Sequence, residues 1–170
     1  MFDRRYAKTL QEKLERPYVH LMFGARQTGK STLLRSMLPE DAWIVDLSDL
    51  LERSRLLANP EIFIETCRTI STSRRGRMVF VDEIQTVPAL FDAVQHLYDS
   101  DKERWRFVLC GSSTRRMRGT SVNLLPGRSF LHRLYPLTLI EHPPTPVCTR
   151  YMGHTPSPVV LPWSADWTPA

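Results

Sequence analysis

The sequence predicts an α/β domain built on a parallel sheet, and three observations predict it. A short apolar run, Tyr18 to Phe23, ends at a glycine-bounded loop, Gly24 to Ser31, that opens directly into a helical pattern. A second run, Met78 to Val81, ends on two adjacent carboxylates, Asp82 and Glu83. Elsewhere, apolar runs of strand length alternate with stretches of helical period. Strands buried on both faces read as continuous apolar runs. Strand–helix alternation implies βαβ units with right-handed crossovers.

The elements follow in order. Phe2 to Glu15 reads as a helix, with Tyr6, Leu10 and Leu14 on one face and Pro17 ending it. Tyr18 to Phe23 is the first strand. Ser31 to Leu38 is a helix carrying Leu33, Leu34, Met37 and Leu38, stopped by Pro39. Trp43 to Leu47 is the second strand, and Leu50 to Leu57 a short helix or irregular crossover. Pro60 suits the first position of a helix reaching about Ile70, with Ile62, Phe63 and Cys67 available for burial. Ser71 to Arg77 is a polar, basic loop. Met78 to Glu83 is the third strand with its acidic end, and Ile84 to Pro88 a connector. Leu90, Val94, Leu97 and Tyr98 mark another helix. Phe107 to Cys110 is the fourth strand, ending at Gly111-Ser112-Ser113, and Ser129 to Leu134 the fifth.

Length and composition bound the reading. The 170 residues suffice for one α/β domain with a core, and 42% hydrophobic with 24% charged is ordinary for a globular chain. The net charge is +5, and arginine supplies 19 of the 23 basic residues. That excess suits an anionic partner, though nucleotide phosphates alone account for part of it. Cys67, Cys110 and Cys148 are odd in number and widely spaced, with no C-x-x-C pair, so neither a zinc site nor a disulfide framework is suggested and they read as reduced thiols in a cytoplasmic protein. No run is long and apolar enough to span a membrane. Asp3, Arg4, Arg5 and Lys8 interrupt any signal-peptide core. The five histidines, at 20, 96, 132, 142 and 154, show no ligand spacing and are expected to be structural or exposed.

Gly24, Ala25, Arg26, Gln27, Thr28, Gly29, Lys30 and Ser31 fit the phosphate-cradling pattern G-x-x-x-x-G-K-[ST], with Thr32 next in the helix. Its glycines permit a tight turn whose N–H groups point into one concavity. Lys30 brings a mobile positive charge to the β- and γ-phosphates. Ser31 offers a hydroxyl to Mg²⁺, and the helix that starts there aims its positive end at the phosphates. Strand, loop and helix are the setting this motif requires. Asp82 is then the second Mg²⁺ residue, and Glu83 the group that polarises an attacking water.

Gly24 to Ser31, Val79 to Gln85, Val87-Pro88, Leu109 to Ser113, Pro126 to Arg128 and Leu134 to Thr138 occur in that order. Over about Arg4 to Glu141 this resembles the prokaryotic AAA-type ATPases of AAA family fourteen, which usually carry a further C-terminal domain of unknown function. The resemblance implies a P-loop NTPase of the AAA (ASCE) type: a three-layer sandwich around a five-stranded parallel sheet of order 5-1-4-3-2. It implies ATP and Mg²⁺ as ligands. Ser112, or its neighbour Ser113, matches the polar sensor at the tip of the fourth strand; capping a turn is the alternative. Arg128 matches a glycine–arginine step before the fifth strand. It is expected either as an arginine finger toward a neighbouring subunit's nucleotide, which implies self-association, or as a surface ion pair. Gln85 fits the family motif without an assigned role, a hydrogen bond within the connector being the plain alternative.

From Pro143 to Ala170 there are seven prolines in 28 residues, and only Arg150 and Asp166 are charged. The expected organisation is an ATPase domain over 1–142 and an irregular, disordered tail over 143–170. Relatives continue with a helical lid at this point, so a truncation or a reading-frame shift near His142 is one expectation. Three further readings accompany ATP hydrolysis: a nucleotide-binding regulatory module with little turnover, a DNA-associated ATPase using Arg74, Arg75 and Arg77 or Arg115, Arg116 and Arg118, and a truncated gene product without stable function. Solvated loop charge is the favoured reading of both arginine clusters, and no aromatic residues interleave with them as single-strand binding would need.

Overall fold

A computed structural model of the chain describes residues 4–70, 76–112, 127–138 and 141. The elements are α1 (Tyr6–Leu14), β1 (Val19–Phe23), α2 (Lys30–Arg35), β2 (Trp43–Asp46), α3 (Leu50–Ala58), α4 (Glu61–Thr69), β3 (Arg77–Asp82), a 3-10 turn (Ile84–Thr86), α5 (Ala89–Ser100), β4 (Trp105–Gly111) and β5 (Ser129–Arg133). All five strands are parallel, in the order β2-β3-β4-β1-β5. Read from the other edge this is 5-1-4-3-2, the order implied by the resemblance. Ser113, the two arginine clusters except Arg77, and the tail from Pro143 lie outside the described residues.

The apolar runs become strands because the sheet is covered on both sides. Alternate residues point to opposite faces. On one face Val19, Leu21, Phe23, Val79, Val81, Phe107 and Leu109 pack with Leu56, Phe63, Cys67, Phe91, Val94 and Leu97 of α3, α4 and α5. On the other, Met22, Phe80, Val108 and Cys110 pack with Leu10 and Leu14 of α1 and with Leu33 and Leu34 of α2. Two helical layers therefore sandwich the sheet. Each fully buried Leu, Phe or Val contributes roughly 1.5–3 kcal/mol.

Most boundaries fall within a residue or two of expectation. The helix expected to reach Leu38 is shorter, because its last turn tightens. The Ser36 hydroxyl donates back to Leu33 O at 2.8 Å and Met37 N bonds Leu34 O at 2.9 Å. Pro39 also disfavours a helical Leu38. The crossover at Leu50 is a regular helix, because the Asp49 carboxylate caps it by accepting from Leu51 N and Glu52 N.

Two of the histidines have a specific structural use. His20 and His132 are 0% and 2% exposed, between β1, β5 and α1. Arg16 O can only accept, so His20 Nε2–H donates to it, 3.1 Å away. His20 Nδ1 then accepts from His132 Nε2–H at 3.0 Å, and His132 Nδ1 from the Tyr6 hydroxyl at 2.8 Å. With both rings neutral, each proton has one place. Burial lowers both pKa values, that of His132 to about 4.

Candidate functional site

In a parallel sheet every strand delivers its C-terminal end to one edge, which is where such sheets bind ligands. Phe23 lies beside Gly111 of β4, and Asp46 beside Asp82. The loop after β1, the carboxylates after β3 and Ser112 after β4 therefore gather there.

The Gly24–Ser31 loop has the backbone its sequence requires. Gln27 and Gly29 take positive φ values of 60° and 79°. A Cβ at Gly24 would run into the carbonyl oxygen of Leu134, whose own N–H bonds Phe23 O at 2.8 Å. Glycine lets the end of β5 close against the loop. The Thr28 hydroxyl donates to Ala25 O at 3.0 Å and Lys30 Nζ to the same oxygen at 2.6 Å. Lys30 is 6% exposed, so its charge is held inside the loop's concavity. Arg26 and Thr32 are exposed.

Ser31 and Asp82, 51 positions apart, meet: Ser31 Oγ donates to Asp82 Oδ1 at 2.9 Å. Two hard oxygen donors at one point are what Mg²⁺ takes from a protein when phosphates and water complete its octahedron. Among the described residues no three His, Cys, Asp or Glu side chains form a metal cage. A nucleotide-borne Mg²⁺ needs none. The buried thiol of Cys110 lies 3.9 Å from Ser31 Oγ, and burial raises its pKa strongly. It is inert lining rather than a ligand.

Two features of this edge were given no role by the sequence reading. Arg35 of α2 pairs with Asp46 at 2.5 Å and reaches Asp82 Oδ2 at 3.6 Å. Hydrogen bonds from Ser48, then Arg35, hold the Asp46 carboxyl below its usual pKa against the effect of burial. The i, i+5 step from Lys30 to Arg35 hinted only that both lie on one short helix. The second is Gln85. Its amide nitrogen donates to Glu83 Oε2 and approaches Ser112 Oγ at 3.2 Å, and its Oε1 accepts from Ser112 N at 3.3 Å. Glu83 itself is left-handed, with φ 54° and ψ 38°, held there by Thr86 N and Oγ1, each 2.9 Å from Glu83 O. A non-glycine residue in that region costs on the order of 1–3 kcal/mol and is common at functional sites.

Lys30, Ser31, Asp82, Glu83 and Ser112 thus share one edge. Arg128 does not. It precedes β5, its carbonyl accepts from Val19 N at 3.1 Å, and its guanidinium pairs with Asp99 of α5 at 2.5 Å. That is the opposite edge, about 16 Å away over five residues of strand. Within one chain Arg128 cannot join the cluster.

Comparison with known proteins agrees with this geometry. A family model described as an AAA domain matches residues 16–142. Uncharacterized proteins of Mycobacterium tuberculosis and Mycobacterium bovis are each 31% identical over 143 residues, covering 82% of this chain. The chain spans 30% of the length of those relatives. Among solved structures, a Walker-type ATPase of Pyrococcus abyssi superposes with a TM-score of 0.57 at 20% identity, over 83% of this chain and 55% of that one. The Pif1 helicase of Candida albicans gives 0.52 at 13%, over 81% and 40%. These likenesses show the fold. Loop, carboxylate edge, strand order and family match agree: the chain belongs to this AAA domain family and has the P-loop NTPase fold.

Proposed function

We propose that the chain binds ATP with Mg²⁺ in the Gly24–Ser31 loop and hydrolyses it to ADP and phosphate, as a nucleotide switch or motor domain. Residues 1–142 form this ATPase unit, and 143–170 lie outside it. The observation that carries the reading is the 2.9 Å contact between Ser31 Oγ and Asp82 Oδ1, beside a buried lysine. It joins the two halves of a phosphate-and-metal site.

The roles follow from the side chains. The Lys30 ammonium, now donating to Ala25 O, exchanges that carbonyl for β- and γ-phosphate oxygens. Loop N–H groups bind the remaining phosphate oxygens. Ser31 and Asp82 would hold Mg²⁺, which when bound neutralises phosphate charge. Glu83 orients the attacking water and accepts its proton as the γ-phosphoryl group transfers. Ser112 hydrogen-bonds that water or the γ-phosphate. Arg128, at the far edge, serves the nucleotide of a neighbouring chain.

Steady-state turnover of the 170-residue chain against Glu83→Gln tests this. The variant should bind ATP with unchanged affinity and turn over about 10²- to 10⁴-fold more slowly. Equal rates would remove Glu83 from the chemistry.

A further inference from the structure

Gln85 belongs to no part of the nucleotide cradle, yet all its polar atoms face the candidate site. One amide hydrogen goes to the Glu83 carboxylate, the other toward Ser112 Oγ, and the carbonyl accepts from Ser112 N. A carboxylate can only accept and a backbone N–H can only donate, so the chemistry itself fixes which end of the amide faces which partner. Glu83 follows β3 and Ser112 follows β4, and β3 and β4 are hydrogen-bonded neighbours. The side chain therefore spans two strand ends.

The seat for this bridge is built. A Cβ on Gly111 would stand 2.5 Å from Gln85 Oε1 and 3.0 Å from Phe23 Cε1. Only a residue without a side chain lets the amide lie against β4. Gln85 is the middle residue of a rigid turn, Ile84–Thr86, whose ends are fixed by the bonds from Thr86 to Glu83 O and by Val87 N to Ile84 O at 3.1 Å. The amide is thus pre-positioned at little further entropic cost.

We propose that Gln85, seated on Gly111, is the positioning residue for hydrolysis: it ties the Glu83 carboxylate to Ser112, so that groups from two strands address one water. This rests on the hydrolytic reading above. It also gives a route for communication. A shift of Ser112 on γ-phosphate contact pulls on the amide that orients Glu83, so the carboxylate is correctly aimed only when the γ-phosphate is present.

The test measures ATP affinity and turnover separately on the 170-residue chain. Gln85→Ala should bind ATP within about twofold of wild type and lose about tenfold to a hundredfold in kcat, the size of a hydrogen bond to a charged group. Gly111→Ala, which displaces the amide while removing no polar atom, should lose kcat similarly, and the double variant should lose little more. Gln85→Glu places a carboxyl where the amide donor stood. Its kcat relative to wild type should recover as pH falls from about 8 to about 6, because a protonated carboxyl donates as the amide does. A Gln85→Ala kcat within twofold of an active wild type would overturn the positioning role alone. So would a loss of affinity that matches the loss of kcat. A wild type that binds ATP without turnover would overturn the hydrolytic reading and this one together. If Gln85→Ala does not melt cooperatively, Gln85→Glu decides: a pH profile parallel to wild type overturns the proposal.

Discussion

Lowering the pH should destabilise this fold through the buried pair His20 and His132. An unfolded histidine titrates near 6.5, whereas burial, the neighbouring His20 and Lys13 bring folded His132 to about 4. As pH falls, the unfolded chain takes up the proton first. The stability contributed by the neutral ring is therefore complete above about pH 6.5 and is lost as pH falls toward 4. At 1.36 kcal/mol per unit the whole effect is about 3 kcal/mol. About 2 kcal/mol of that is lost between roughly pH 7 and pH 5. Burial lowers the His20 pKa too, so His20 acts in the same direction. His132→Gln isolates the term, because an amide can still donate to His20 Nδ1 and accept from the Tyr6 hydroxyl but takes up no proton. Thermal melts of both chains at several pH values are the assay. Wild type should lose about 4–8 °C more in Tm than the variant between about pH 7 and pH 5. Parallel curves would refute the neutral hydrogen-bonded chain.

Three further outcomes follow from the site and its far edge. Gly24→Ala should cost about 1–3 kcal/mol, read as a lower Tm, since the new methyl meets a carbonyl oxygen of the backbone; an unchanged Tm would mean that β5 does not close on the loop. Arg128→Ala should alter stability by less than about 1 kcal/mol, because both members of its pair with Asp99 are about one-third exposed. Wild-type turnover per chain should rise with protein concentration and the Arg128→Ala rate should not; a flat wild-type curve would remove Arg128 from the chemistry.

The central strands were legible because burial on both faces leaves one sequence signature. Val19–Phe23 is buried throughout, and Arg77–Asp82 in all but its first residue. The glycine loop and the acidic strand end were legible for a related reason, since phosphate and metal chemistry demand particular groups at fixed offsets from a strand. The strand order had no signature in the local pattern. It came with the family resemblance and is a property of crossovers rather than of any window. The pairings that sequence reading missed are likewise long-range. His20 and His132 are 112 positions apart, Gln85 and Ser112 27, and only the β1–β5 and β3–β4 pairings bring them together. Arg128 shows the converse. A residue that precedes a strand of a parallel sheet stands at the end away from the loops that follow the strands, so its place was readable from the order of the motifs once the strands are parallel.

The most direct measurement is equilibrium ATP binding to the 170-residue chain with Mg²⁺, for wild type and Lys30→Ala. Lys30 is buried in the loop with its ammonium on Ala25 O, so removing it takes away the charge intended for the phosphates. Two charge-assisted hydrogen bonds at about 1.5–3 kcal/mol each predict a loss of at least a hundredfold in affinity. Wild-type binding that Lys30→Ala weakens to that extent is the predicted result. No ATP binding by a cooperatively folded wild type, or equal affinity in the two chains, would contradict it.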